Sequence, residues 1–407
     1  MSIKKTLFYT SAFLLFASTV NAMGGTQPPT TDIEQDLSCI QRAQWIAPAT
    51  RLPLDNQTLL KKAAKQQVVL LGEQHPDAVH HRWQLQTITQ LYAHNPNIVI
   101  GFEMFPRRLQ PVLDAWIRGE LSEDEFLQKT DWDEVWKFDP DLYMPLFRFA
   151  RMNRLPIVAL NVDMDLIGAI SQKGWDGVEE DQKEGVLPPR KAHPDYMSEL
   201  KKVFGKHPHV ADDEKKDDEK SEARFQRFVE AQITWDGAMA QELARVQKMG
   251  GNPLVIGVMG SGHLADRYGV PYQLQGLELG STVLLPWTLG WDCNDLSPSY
   301  ADAIFGLEAM EEKPTAQRPI LGIRIEKAEN KTGVIVEQVV EESIAEDAGL
   351  EKDDIILSAA GQLVEDTGQL IKIIQQQAPG TWLPLEIERR GQPIDIIAKF
   401  PNWNEAE

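Results

Sequence analysis

Cysteine is scarce in this chain: Cys39 and Cys293 are the only two among 407 residues. No C-x-x-C pair and no zinc-type spacing occurs, which excludes a thioredoxin-like motif and a zinc finger. In an oxidising compartment the two could close one disulfide; the alternative is two separate buried thiols, and spacing alone does not choose. Positive charge is also in deficit. Lys and Arg number 41 against 61 Asp and Glu, a formal net charge of -20. The basic footprint that phosphate backbones require is missing, so nucleic acid is excluded as a partner. The acidity is clustered and reads as solvation of the surface. No G-x-S-x-G nucleophile elbow is present, since "MGSGH" places Ser261 differently.

Long apolar runs are absent outside the N-terminus. There, "MSIKKTLFYTSAFLLFASTVNAMGG" sets Lys4 and Lys5 before an apolar stretch from Leu7 to Phe16 and small residues near Ala22. Residues 1–22 read as a signal peptide cleaved after Ala22. The stretch is too short for a membrane span. With no cysteine at the cleavage point, a lipoprotein is not expected. The mature chain is expected to be exported, without a membrane span, and periplasmic where the source has two membranes.

What is present is a series of short, continuous apolar runs: "VVLL" (68–71), "IVIGF" (98–102), "PIVAL" (156–160), "LVIGVM" (254–259) and "STVLLP" (281–286). Continuous rather than alternating hydrophobicity marks strands covered on both faces. Helical spacing of Trp83, Ile88 and Leu91, and of Leu142, Leu146, Phe147 and Ala150, fills the intervals. The fold class expected is α/β, a parallel sheet flanked by helices, over residues 40–300. A charged insertion at about 174–222 interrupts it, with His193, His207 and His209 as loop histidines, and a helix over about 220–249 follows. A Pro- and charge-rich linker, 311–319, leads into a small β-rich domain at 319–400.

The strand ends carry the chemistry. "VVLLG" is followed by Glu73 and His75, "IVIGF" by Glu103, "PIVAL" by Asn161 and Asp163, and "LVIGVMGSG" by His263. In a parallel sheet all carboxyl ends share one edge, where such folds bind ligands. Helix capping accounts for one such acid but not for Glu103 among apolar neighbours. His80 and His81 open the next helix about 100° apart, so at most one faces the cleft. Two uses are open. A carboxylate can orient a histidine base, or His75, Glu103 and His263 can hold a divalent metal ion for hydrolysis.

Two resemblances add to this. "ILGI" (320–323), "AEDAGLEKDDIILSAAG" (345–361) and "TGQLIKIIQQQ" before "GTWLPLEIERRG" resemble a PDZ domain of the bacterial periplasmic-protease type. That resemblance implies capture of protein C-terminal tails at Leu321, Gly322 and Ile323, by backbone N–H groups and strand addition. "LLGEQH", "IGFEMF", "FDPDLYMPLFRFARMNRLPIVALN" and "GVMGSGHL" together resemble the ChaN-like haem-binding uptake family, a branch of a superfamily with TIKI-type metalloproteases and erythromycin esterases. This implies haem binding, iron acquisition, and a tyrosine phenolate ligand assisted by histidine across a homodimer. Tyr143 is the tyrosine in the matching segment, and His81 is carried as a second haem contact. Trp132, Trp136, Phe138, Met144 and Phe147 would be walls, and Arg107 and Arg108 would meet the propionates.

Overall fold

The computed structural model describes residues 39–205, 218–309, 320–328 and 332–402. The signal segment, His207, His209 and the linker at 311–319 lie outside the described residues. The chain divides into two compact units, Met1–Ala309 and Met310–Glu407.

The first unit is built on eight strands: β1 (Trp45–Ala47), β2 (Leu52–Leu54), β3 (Val68–Leu71), β4 (Ile98–Pro106), β5 (Ile157–Asn161), β6 (Leu254–Val258), β7 (Ser281–Thr288) and β8 (Ala303–Leu307). Their order is β2-β1-β8-β7-β3-β6-β4-β5. The six from β8 to β5 run parallel, and β1 and β2 add an antiparallel edge. Alternation within the apolar runs feeds two cores. Val69 and Leu71 of β3 enter one, with Ile100, Phe102 and Ile256. Val68 and Leu70 enter the other, with Val255, Val283 and Leu285. This two-sided burial is why the strands read as unbroken hydrophobic runs.

The expected end at residue 300 falls short, because β8 pairs with β7 at Ala303–Leu307. Its five residues are too brief to stand out in sequence. The charged insertion is only partly surface: helix Pro194–Gly205 sends Tyr196 and Leu200 against Phe225, Val229 and Ile233 of helix Asp218–Lys248. Cys39 and Cys293 form a disulfide, with Cα atoms 5.5 Å apart. No helix among the described residues is long and apolar enough to cross a membrane.

The second unit is a small antiparallel sheet around one core. Its strands are β9 (Ile323–Lys327), β10 (Val334–Val339), β11 (Ile355–Ala359), β12 (Gln362–Leu363), β13 (Trp382–Arg389) and β14 (Gln392–Lys399), and helix Thr367–Gln375 packs on them. The order β14-β13-β11-β10-β9 leaves β9 at an edge, with β12 paired to β11. The "AEDAGLEKDDI" segment has a physical role at each fixed position. Gly349 takes a left-handed φ of 79° where a short helix ends. Leu350 is buried, and buried Asp354 accepts from Arg389 Nε and Nη2, both at 2.7 Å.

Candidate functional site

The site grows from the chain leaving β3. Asp77 caps helix Ala78–His94, accepting from Val79 N at 2.7 Å and His80 N at 3.3 Å. Gln74 N donates to His80 Nδ1 at 3.0 Å, so His80 is neutral with its proton on Nε2, facing Thr288 Oγ1 at 3.2 Å. Burial pushes His80 down to about 4. His81, one step round the helix, turns the other way: Nε2 faces the His75 carbonyl at 3.0 Å and Glu73 Oε2 at 3.6 Å. The two diverge as helical geometry requires, and both are buried, His81 on the His75 side.

Glu73 is buried and holds His75 Nδ1 at 2.5 Å. Burial opposes the charged imidazole, but the Glu73 hydrogen bond and the charges of Glu73 and Glu103 outweigh it and raise His75 above its usual value. The His75 side chain is 30% exposed, whereas those of Glu73, Glu103 and His263 are 10% or less. Its ring lies 4.7 Å from Trp136 and 5.1 Å from Phe138, centroid to centroid. Glu73 Oε2 and Trp136 Nε1 are buried with no hydrogen-bond partner.

A second pair lies behind the first. Glu103, on β4, accepts from Gly260 N at 2.6 Å through Oε2 and faces His263 Nε2 at 3.3 Å through Oε1. His263 Nδ1 meets Asp236 Oδ1 at 2.6 Å, and Asp236 Oδ2 accepts from Tyr196 at 2.9 Å. Burial works against a charged His263, but two facing carboxylates raise it to about 10. Burial also disfavours the Glu103 carboxylate; His263, His75 and the Gly260 N–H overcome that and lower it. Gly260 joins the two pairs. A Cβ there would stand 2.9 Å from His75 Cε1 and 3.6 Å from Glu103 Oε2, so only glycine lets the loop pass between them.

The four strand-end residues Glu73, His75, Glu103 and His263 thus belong to one cluster. Asn161 supports it from behind, donating to the Glu103 carbonyl at 2.9 Å. Asp163 does not join; it pairs with Arg108 at 2.7 Å. Several expectations need correction. Tyr143 is fully buried, its hydroxyl donates to the His75 carbonyl at 3.3 Å, and burial followed by the Glu73 charge raises its pKa well above the usual phenol value. So placed, the phenol is covered, and burial and the Glu73 charge both disfavour its ionised form. His81 is likewise buried beneath His75. Arg107 is drawn away to the Ala238 carbonyl, and Arg108 pairs through Nε with Asp163 at the surface. Trp132, Met144 and Phe147 are core residues. The metal set His75, Glu103 and His263 is not assembled as one, because both His263 nitrogens face carboxylates. No group of three or more His, Cys, Asp or Glu among the described residues is disposed to hold an ion.

Asp236 and Tyr196 escaped the sequence reading. The signal was a lone carboxylate in "ITWDGAMA", mid-helix among apolar and small residues. Such a residue has to find a buried partner.

In the second unit, Gly322 has φ 81°, and a Cβ there would run into Ser343. The Gly322 carbonyl accepts from Val340 N and that of Leu321 from Ala345 N, both at 2.9 Å. Leu321 is buried, and Ile323 opens the edge strand β9.

A parallel α/β unit with carboxylate–imidazole pairs at its strand ends, joined to a small sheet with a free edge, defines a two-part binding protein. The chain belongs to the haem-binding uptake family of the Tiki superfamily, ChaN, whose family model matches residues 59–274. It also carries a PDZ domain, matched over 319–399. Among curated proteins it is similar to a probable periplasmic serine endoprotease, DegP-like, of Chlamydia trachomatis, 40% identical over 70 residues. That stretch is 17% of this chain and only 14% of the relative's length. Among solved structures, ChaN of Campylobacter jejuni with cofacial haem is 19% identical, covering 64% of this chain and 95% of that one, TM-score 0.49. The HtrA3 PDZ domain bound to a phage-derived ligand is 22% identical, covering 20% of this chain and 82% of that one, TM-score 0.18.

Proposed function

We propose that the α/β unit of this exported protein binds haem at the cleft over His75, in haem or iron acquisition, and that the PDZ unit captures the C-terminal tails of other proteins. Export is supported by the signal-like N-terminus and by the disulfide, which suits an oxidising compartment. A homodimer, as the family resemblance implies, belongs to the same reading.

One observation carries the haem reading: His75 is the one imidazole of the cluster with an exposed face, and it packs against two aromatic rings that also touch each other. The residues fit a flat, largely apolar ligand with a metal at its centre. Haem, when bound, supplies a ferric iron that needs an axial donor. Glu73 holds His75 Nδ1 and leaves Nε2, on the Gly260 side of the ring, as the nitrogen to ligate iron, the carboxylate–histidine arrangement that orients a ligating imidazole. Trp136 and Phe138 supply flat walls. Lys137, exposed between them, offers the counter-charge for propionates. Tyr143 and His81 hold the His75 carbonyl and fix the turn from below.

A hemin titration tests this. The wild-type chain is expected to give a Soret band, and His75→Ala to weaken binding at least tenfold. Wild-type binding with unchanged affinity in His75→Ala would remove His75 from the role; no band at all would remove the reading.

Hydrolysis stands second, because Glu73 orients His75 as it would a general base. Ester and peptide turnover lost in His75→Ala would support it, and no turnover in the wild type would end it.

A further inference from the structure

We propose that Asp236 and Tyr196 are positioning residues of the cleft, and that Tyr196 brings the charged insertion into the site's support. The inference rests on the His75 cleft reading but is argued from the cluster behind it.

Three elements far apart in sequence meet here. Tyr196 comes from helix Pro194–Gly205 in the insertion, Asp236 from the middle of helix Asp218–Lys248, and His263 from the turn after β6. Asp236 is fully buried and both its oxygens are engaged, by Tyr196 at 2.9 Å and His263 at 2.6 Å. An ionised carboxylate in the interior is tolerated only with such partners. The Trp235 ring packs edgewise on His263, centroids 5.0 Å apart, and leaves the imidazole little freedom to turn.

The consequence reaches the cleft by a short path. With Nδ1 fixed on Asp236, His263 points Nε2 at Glu103 Oε1, 3.3 Å away. Glu103 in turn holds Gly260 N, and Ser261 N donates to the Glu73 carbonyl at 2.8 Å. The loop 259–263 is therefore fastened on both sides of His75. Hydrogen-bonded supports of this kind orient groups that touch the ligand, and their loss typically costs 10–100-fold in affinity.

The test uses the full chain. In apo protein, the His263 Nδ1 proton, identified by its loss in His263→Gln, is expected as a strongly deshielded proton NMR signal. Asp236→Asn should abolish that signal and weaken hemin binding about tenfold or more. Tyr196→Phe keeps the ring packed and should shift the signal upfield with a smaller loss of affinity. A folded Asp236→Asn protein that keeps both the signal and the affinity overturns the proposal. If Asp236→Asn fails to fold, Tyr196→Phe decides, and a spectrum and titration identical to wild type overturn it. A wild type that does not bind hemin discards the haem reading instead, and the apo spectra still decide whether Asp236 and Tyr196 set His263.

Discussion

A tyrosine ligates ferric iron only by shedding its proton, and Tyr143 sits where burial and the Glu73 carboxylate both resist that. Sequence gave Tyr143 its candidacy because the matching segment offers no other phenol. Which face of a helix start meets the core is not visible there, and here the phenol turns inward against His81 and Trp132. His75, by contrast, was legible as part of a pattern of polar residues ending buried strands. Its exposure was not, because that depends on where Trp136 and Phe138 come to rest. Tyr143→Phe is therefore expected to leave hemin affinity within about threefold of wild type, whereas a Soret band lost in that variant would restore the phenolate.

The turn and helix start at residues 72–81 hold His75 and the divergent pair His80 and His81, and the loop after β6 holds His263. The charge states of His80 and His263 give the elements a pH dependence. His80 is lowered from 6.5 to about 4, so the unfolded chain binds the extra proton between those values. Its contribution to stability is complete above 6.5 and is lost as pH falls toward 4. His263 is raised from 6.5 to about 10, so its contribution is complete below 6.5 and is lost as pH rises through 10. The two together predict a stability maximum near pH 6.5, with each proton contributing a slope of at most about 1.4 kcal/mol per pH unit. Denaturant unfolding followed at the buried tryptophans measures it. Stability still rising from pH 7 to 9 would show that His263 is not held as a cation. Sequence spacing predicted that His80 and His81 would diverge. It did not predict that a backbone N–H would fix His80 as neutral, since that bond depends on the path of the turn.

At the scale of the molecule, the parallel strands were readable because two-sided burial leaves unbroken apolar runs. The antiparallel edge of β1 and β2 was not, since three residues such as "LPL", largely exposed, carry no periodicity. The PDZ unit was legible throughout its motif, because Gly349, Leu350 and Asp354 each meet a fixed steric or electrostatic demand. Pairing of Cys39 with Cys293 needed the fold to bring 254 positions of separation to 5.5 Å between Cα atoms. Reducing that bond, or replacing both residues by serine, is expected to lower the stability of the α/β unit by about 2–5 kcal/mol. A melting temperature unchanged by reductant would contradict the stabilising role.

Which side chain faces the iron decides the haem reading. Resonance Raman and electron paramagnetic resonance spectra of the ferric haem complex identify the axial donor directly. A histidine-ligated spectrum that disappears in His75→Ala and persists in Tyr143→Phe is expected. Phenolate vibrations in the wild-type complex, or a histidine-type spectrum that survives His75→Ala, would contradict it.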